Sequence, residues 1–121
     1  MQNPGIPKPP AVHLFYDEKI ISNGIIFQIC MGLEEQGIPC QTTLQNTGES
    51  ALQLGQRAAR SSALRVGLGV SALGETVLTH AQLPIDQALR SCPPESSLRK
   101  LRNIGANAGQ LVKVIPFSEA T

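Results

Sequence analysis

The stretch NGIIFQICMGLEEQGIPC, residues 23–40, decides the fold because it encodes one complete helix together with its end signals. Ser22 or Asn23 is suited to cap the start of this helix. Gly37 can adopt the left-handed conformation just past its end, and Pro39 prevents any continuation. Apolar side chains recur between these signals at helical spacing and form one continuous face: Ile25, Ile26, Ile29, Cys30 and Leu33.

Two carboxylates, Glu34 and Glu35, stand in the last turn of this helix. The C-terminal end of a helix already carries partial negative charge, so two acidic side chains there lower the local stability. On spacing alone both are interpreted as solvated surface acids. The alternative is that an external cation or a partner compensates for them.

The composition describes a small globular chain. It has 121 residues, of which 41% are hydrophobic, enough for one domain with one modest core. No apolar run approaches the roughly 20 residues that a membrane helix needs. The first residues, MQNPGIPKPP, contain four prolines and lack an apolar signal core. They predict a flexible arm at 1–10 and a cytoplasmic protein that does not bind membranes.

Charge, aromatic content and cysteine spacing exclude several kinds of site. A net charge of +1 gives no electrostatic footprint for nucleic acid, and the four aromatic residues offer no platform for base stacking. No Cys-x-x-Cys pair occurs, and His13 and His80 stand alone, so neither a zinc site nor a disulfide framework is predicted. Cys30, on the apolar helix face, is interpreted as a small buried hydrophobic residue.

The rest of the chain alternates between strand and helix patterns. Strands are predicted at 11–16, 38–44, 64–71 and 75–80, helices at 49–61 and from about 96 onward, and an irregular segment at 86–96. This order predicts a single α/β domain at 11–121 with three layers. Its sheet is expected to be mainly parallel, with about four strands, one of them an antiparallel hairpin strand, and with helices packed on the sheet.

Small residues characterise two of the predicted helices. The second helix has a face suited to lie close to a sheet, formed by Ala51, Leu54, Gly55, Ala58 and Ala59. In the last helix Gly105 and Gly109 each cost about 1 kcal/mol relative to alanine, which implies close approach by the sheet or by a partner chain. The buried stripe predicted for this helix comprises Leu98, Leu101, Ile104, Ala108, Leu111 and Val112. Its opposite side, with Arg99, Lys100 and Arg102, is interpreted as a solvated face.

No catalytic or cofactor-binding pattern stands out. Gly67 and Gly69 do not form a dinucleotide fingerprint, because the third glycine is misplaced and no helix follows. Asp17 and Glu18 follow the first strand, at the end where open α/β sheets bind ligands, but no glycine-rich turn accompanies them. The residues therefore favour a binding subunit over an enzyme, with no catalytic and no cofactor-binding residues.

Several stretches resemble one protein family. They are GLEEQGIPCQT (32–42), AARSSALRVGLG (58–69), LTHAQLP (78–84) and GANAGQLVKVIPFSE (105–119). Together they resemble the small subunit of the glycerol dehydratase reactivase, the sister of the diol dehydratase-reactivating factor. VHLFYD, at 12–17, also fits the glycerol branch.

The resemblance implies a chaperone-like, non-catalytic subunit. Dehydratases that use adenosylcobalamin inactivate themselves when damaged cobalamin stays bound. In this family a large subunit is the ATPase and binds ATP or ADP. The small subunit resembles the dehydratase medium subunit and takes its place, so that damaged cobalamin leaves. The resemblance also implies a heterotetramer of two large and two small subunits and a bacterial cytoplasmic location. For a chain that serves a diol dehydratase, the resemblance also allows association with a microcompartment.

The resemblance also implies a metal ligand. In this family a glutamate of the small subunit joins a magnesium site at the interface with the large subunit. Matching GLEEQG to the family's Gly-Ile-Glu-Glu-Glu-Gly places that ligand on Glu35, with Glu34 as the alternative. Departures at Ala63, where the family often has proline, and in the loop after Pro84 leave the preferred dehydratase open.

Two rival interpretations remain. The chain could be a medium subunit of a dehydratase, but such a chain needs additional length to cover the cobalamin. It could instead be a stand-alone small α/β enzyme that depends on Asp17, Cys40 or His80.

Overall fold

Within residues 9–20, 22 and 24–114, which the computed structural model describes, five strands and three helices follow one another. The strands are β1 (Val12–Asp17), β2 (Cys40–Gln45), β3 (Val66–Val70), β4 (Thr76–His80) and β5 (Arg90–Cys92). The helices are α1 (Gly24–Glu35), α2 (Ala51–Ser61) and α3 (Leu98–Val114). The predicted arm at 1–10 lies almost wholly outside the described residues, so it stays a prediction, as does the extent of the domain at 11–121.

The strands form one sheet in the order β2-β1-β3-β4-β5. β1 pairs in parallel with both β2 and β3, with Val12 opposite Cys40 and His13 opposite Gly67. β3 and β4 are antiparallel, as are β4 and β5. Four strands therefore point in one direction and β4 alone runs against them, which confirms the predicted α/β class with its antiparallel hairpin strand.

The fifth strand lies in the segment that the sequence predicted to be irregular, at 86–96. β5 pairs with β4, placing Arg90 opposite Leu78 and Cys92 opposite Thr76. Only Cys92 of its three residues is buried. So short an edge strand carries no alternating apolar pattern, which is why the sequence predicted about four strands.

Helix α2 covers one face of the sheet through direct contact between backbones. A Cβ atom added to Gly67 would lie 2.2 Å from the Ala59 nitrogen, and one added to Gly69 would lie 2.1 Å from the Ala51 oxygen. The absence of side chains at the glycines of β3 therefore lets the backbone of α2 pack directly against this strand. The predicted small-residue face of α2 is confirmed. A capping box between Ser50 and Gln53 fixes where this helix begins.

Helices α1 and α3 cover the other face and touch each other in the same way. A Cβ atom on Gly32 would lie 2.1 Å from the Arg102 oxygen, and one on Gly105 would lie 2.0 Å from the Ile29 oxygen. The predicted close approach of another backbone is confirmed at Gly105, whereas at Gly109 the neighbour is the side chain of Gln36. The predicted identity of the approaching element was wrong. Helix α1 and Gln36, the residue that follows it, contact these glycines of α3, rather than the sheet or a partner chain.

The main hydrophobic core lies between the sheet and these two helices. Its buried members are Val12, Leu14, Ile29, Leu33, Val66, Leu68, Val70, Leu78, Cys92, Leu101, Ile104 and Ala108. Most of the stripe predicted for α3 joins this core, but Leu98 is 59% exposed. The first turn of α3 borders an open groove beside α1, so Leu98 belongs to the surface rather than the core.

Replacing Gly105 with alanine tests the contact between α1 and α3. Alanine gains about 1 kcal/mol of helix propensity, whereas overpacking costs about 1–3 kcal/mol. We expect the overpacking to prevail, because the atom contacted is a backbone carbonyl oxygen that cannot rotate away. Urea denaturation should show a less stable Gly105→Ala chain. Gly24→Ala is the matched control, since among the described residues its Cβ atom meets only the Ser22 hydroxyl, at 3.2 Å, and the change should leave stability unchanged or higher. Equal stability of both variants would contradict the contact.

Candidate functional site

The last turn of α1 ends in a well-defined hydrogen-bonded motif. The Ile38 N–H donates to the Leu33 oxygen at 3.1 Å, and the Gly37 N–H donates to the Glu34 oxygen at 2.9 Å. These are the two bonds of a Schellman motif, which needs a left-handed residue, and Gly37 has φ of +74°. The predicted helix end is confirmed. It fixes the backbone of the final turn, from which Glu34 and Glu35 project in different directions.

Glu35 points toward α3 and forms an ion pair there. Its Oε2 atom accepts a hydrogen bond from Arg102 Nη1 at 3.0 Å, and Arg102 Nε donates to Gln28 Oε1, also at 3.0 Å. The side chains of Arg102 and Glu35 are 38% and 50% exposed, so the pair lies at the surface. Arg102 of the same chain therefore supplies positive charge that compensates the acidic end of α1.

Glu34 points elsewhere. Adjacent helical residues are rotated by roughly 100° about the axis. Glu34 is exposed, and within the described part of the chain its side chain forms no hydrogen bond or ion pair. Hydrogen bonding to Cys30 and burial raise the pKa of the Cys40 thiol, and the negative charge of Glu34 adds a smaller rise. The side chains of Glu34 and Glu35 therefore face different parts of the protein surface.

A groove of about 380 Å³ runs between α1 and α3 beside the ion pair. It is lined by Gln28, Glu35, Leu98, Arg99, Arg102 and Asn103. Phe27, next to Gln28 on α1, is 59% exposed, as is Leu98. This corner combines charged, amide and apolar groups, a mixture suited to contact with another protein.

The fit of a magnesium ion can be judged from the same residues. The described residues contain no cluster of three or more His, Cys, Asp or Glu side chains that could hold a metal. Magnesium commonly takes only one or two carboxylates from a protein and fills its other positions with water or other oxygen ligands. Glu35 fits that role through Oε1, because only its Oε2 is bonded to Arg102. Glu35 as a ligand stays a prediction.

The sequence did not find the partners of Glu35. Arg102 was interpreted as part of a solvated face, and Gln28 carried no signal at all. Recognising them requires knowing that α1 and α3 cross at Gly32 and Gly105, because that crossing places Arg102 opposite the end of α1.

The other residues considered for chemistry are not brought together. Asp17 ends β1, where its Oδ1 accepts from the Lys19 N–H at 2.8 Å and closes a turn. His80 lies at the opposite end of the sheet, opposite Val66, and its Nδ1 accepts from the Gln82 N–H at 3.1 Å. Burial, followed by the positive charge of Arg65, lowers the pKa of His80. These contacts are structural.

Cys30 and Cys40 form a contact that the sequence missed. Their Sγ atoms share a hydrogen bond at 3.2 Å, and both thiols are free and half-buried. Cys30 is therefore not the isolated buried hydrophobic residue that the sequence predicted. Ten positions separate the two in the chain, and only the reversal at Gly37 brings β2 back beside α1.

Comparison with known proteins gives consistent relatives. Residues 9–118 match the family described as dehydratase medium subunit. A probable glycerol dehydratase-reactivating factor small subunit from Citrobacter freundii is 51% identical over 91% of this chain and 94% of its own length. The diol dehydratase-reactivating factor small subunit of Klebsiella michiganensis is 35% identical over 82% of this chain and 81% of its own.

Two solved structures share the fold. A glycerol dehydratase reactivase matches with a TM-score of 0.85 and 56% identity, covering 91% of this chain and 97% of that one. A diol dehydratase-reactivating factor complexed with ADP and Mg2+ matches with a TM-score of 0.79 and 31% identity, covering 91% and 98%. No helix among the described residues is long and apolar enough to cross a membrane.

The ion pair at this corner can be measured by a double-mutant cycle. Arg102→Met should lower the free energy of unfolding by up to about 1 kcal/mol at low salt, because the acidic end of α1 loses its cation. The loss should shrink when Glu35 is already glutamine, and in high salt, which screens exposed charges. Arg99→Met, on the same groove, is the control. Additive effects of the changes at Arg102 and Glu35 would contradict an energetic coupling.

Proposed function

Because this chain belongs to the dehydratase medium subunit family, we propose that it is the small subunit of a reactivating factor for glycerol or diol dehydratase. One observation carries the proposal: a chain with the medium-subunit fold is 51% identical to a probable reactivating factor small subunit. Two proteins with the same fold can present similar surfaces to the same neighbours. This chain would therefore take the place of the medium subunit in an inactivated dehydratase, loosening the enzyme so that damaged cobalamin leaves.

The energy for this exchange would come from a large subunit. A related diol dehydratase-reactivating factor is complexed with ADP and Mg2+. In our proposal the nucleotide binds to the large subunit, which hydrolyses ATP, and this chain acts only through its surfaces. Two large and two small subunits would form a heterotetramer in the bacterial cytoplasm.

The corner between α1 and α3 is the proposed contact with the large subunit. Glu35 would contribute Oε1 to a magnesium ion shared between the chains, and Glu34 is the alternative ligand. The bound ion would supply positive charge that draws oxygen ligands of both chains together. Arg102 holds Oε2 of Glu35, so the carboxylate would already be oriented before the partner arrives.

Glu35→Gln separates an interface role from a folding role. In the free chain the change should alter stability by less than ~1 kcal/mol, as expected for a surface ion pair. A charge-assisted contact is worth about 1.5–3 kcal/mol, so the Kd for the large subunit should rise about 10- to 100-fold. Titration calorimetry should give this rise in magnesium and a smaller one after chelation, because both changes remove the same interaction.

Glu34→Gln is the matched control for that experiment, since it removes one carboxylate from the same turn. Its Kd should stay close to wild type with and without magnesium. Coupling to magnesium at Glu34 instead of Glu35 would move the ligand to the alternative residue. Strictly additive losses would remove the shared metal from the proposal.

The reactivating role itself is tested with an inactivated dehydratase that retains damaged cobalamin. We expect cobalamin release when the large subunit, ATP and magnesium are combined with this chain, and little release when the chain is left out. This chain alone should neither hydrolyse ATP nor bind cobalamin tightly. Equal release by the large subunit alone would overturn the role proposed here.

A structural subunit of the dehydratase is the second candidate, because the matching family is described as dehydratase medium subunit. Mixing experiments with the same proteins distinguish a structural subunit from a reactivating subunit. If this chain restores lasting diol or glycerol turnover when mixed with the remaining dehydratase subunits, it is a structural subunit. If it instead appears in the dehydratase only transiently while cobalamin leaves, it is a reactivating subunit.

A further inference from the structure

Cys30 and Cys40 are not used by any step of the proposed function, and their arrangement has a chemistry of its own. Cys30 lies in the second half of α1, and Cys40 is the first residue of β2, at the edge of the sheet. Their sulfur atoms are 3.2 Å apart.

The two sulfur atoms are close enough for a disulfide to form after a small movement. A disulfide bond is about 2.0 Å long, so the two sulfur atoms need to approach by only about 1.2 Å. Both side chains are half-buried, which leaves them open to a small reagent. Cys92, the remaining cysteine, is buried, and its Sγ lies near the Lys100 oxygen rather than near another thiol.

We propose that Cys30 and Cys40 are a redox modification site, which a low-molecular-weight disulfide oxidises to one intramolecular disulfide. In the first step the thiolate of one cysteine attacks a sulfur of the reagent, forming a mixed disulfide and releasing one small thiolate. In the second step the other cysteine loses its proton to the solvent and attacks the protein sulfur of the mixed disulfide. The second small thiolate then leaves. Two protein thiols become one disulfide, and one reagent disulfide becomes two thiols.

The environment favours Cys30 over Cys40 as the first thiol to attack. The hydrogen bond between the two sulfur atoms lowers the pKa of Cys30 and raises that of Cys40, and burial adds to the rise at Cys40. The thiolate is the attacking form, so Cys30 makes the first attack and Cys40 resolves the mixed disulfide. The nearby Glu34 carboxylate opposes both ionisations.

The bond would have a local structural effect. It would enclose the last turn of α1 and the Gly37 turn in a short covalent loop and fasten the helix to an edge strand. Glu34 and Glu35 both lie within that loop. Oxidation would thus restrict the segment that carries both carboxylates.

The position of the two glutamates allows a direct test. A protease that cleaves after glutamate separates residues 19–34, which contain Cys30, from residues 36–49, which contain Cys40. The folded full-length chain is incubated with glutathione disulfide, quenched with acid, alkylated with excess reagent in denaturant near neutral pH, and then digested under acidic conditions. We expect these two peptides joined together, from a monomeric chain, and their separation by dithiothreitol. The Cys92 peptide, residues 76–95, should remain alkylated.

Two variants sharpen the result. Cys92→Ser should form the same cross-link, and Cys40→Ser should stop at the mixed disulfide on Cys30. The chain unfolded in urea shows that the reagent itself is active. Alkylation of both Cys30 and Cys40 in the folded chain under those conditions would overturn the proposal. So would separate mixed disulfides on both residues of the wild-type chain, or a link between two chains.

Discussion

The contact of bare backbone against backbone at Gly32 and Gly105 is the constraint on which the α1 and α3 layer depends. Any side chain at either position would occupy the space of a carbonyl oxygen on the opposite helix. The resulting crossing brings Arg102 over the end of α1, within reach of Glu35 and Gln28. The charge pair, the groove and the proposed partner contact are consequences of how closely two helices approach, which is a matter of sterics before it is one of electrostatics.

The same device operates on the other face of the sheet, where Gly67 and Gly69 admit the backbone of α2. A chain of 121 residues without tryptophan has few large side chains with which to fill a core. Close approach between the layers reduces the interior volume that side chains must fill, so leucine, isoleucine, valine and alanine suffice to fill the core. Glycine lowers the stability of an isolated helix or strand, and here the close packing that it permits offsets that loss.

What the sequence predicts well here is whatever is encoded within one element. The end of α1 was predictable because Gly37 and Pro39 act locally, and the small-residue face of α2 because its spacing is helical. β5 was not, since pairing with β4 alone makes those three residues a strand. The pair of Glu35 with Arg102 and the contact of Cys30 with Cys40 each join two elements. Periodicity assigns a face to each helix but does not say which neighbour that face meets, and the magnesium ligand still rests on resemblance.

The order of the strands leaves β2 at the edge of the sheet, and its sequence, CQTTLQ, contains no charged residue. Natural edge strands are usually blunted by lysine, proline or a bulge, because their unpaired amides and carbonyls can template another strand. Leu44, 53% exposed, adds an apolar contact to this uncharged edge. The chain kept alone at high concentration is therefore open to strand-to-strand association and aggregation, and synthesis together with a protein that covers β2 would keep it dispersed.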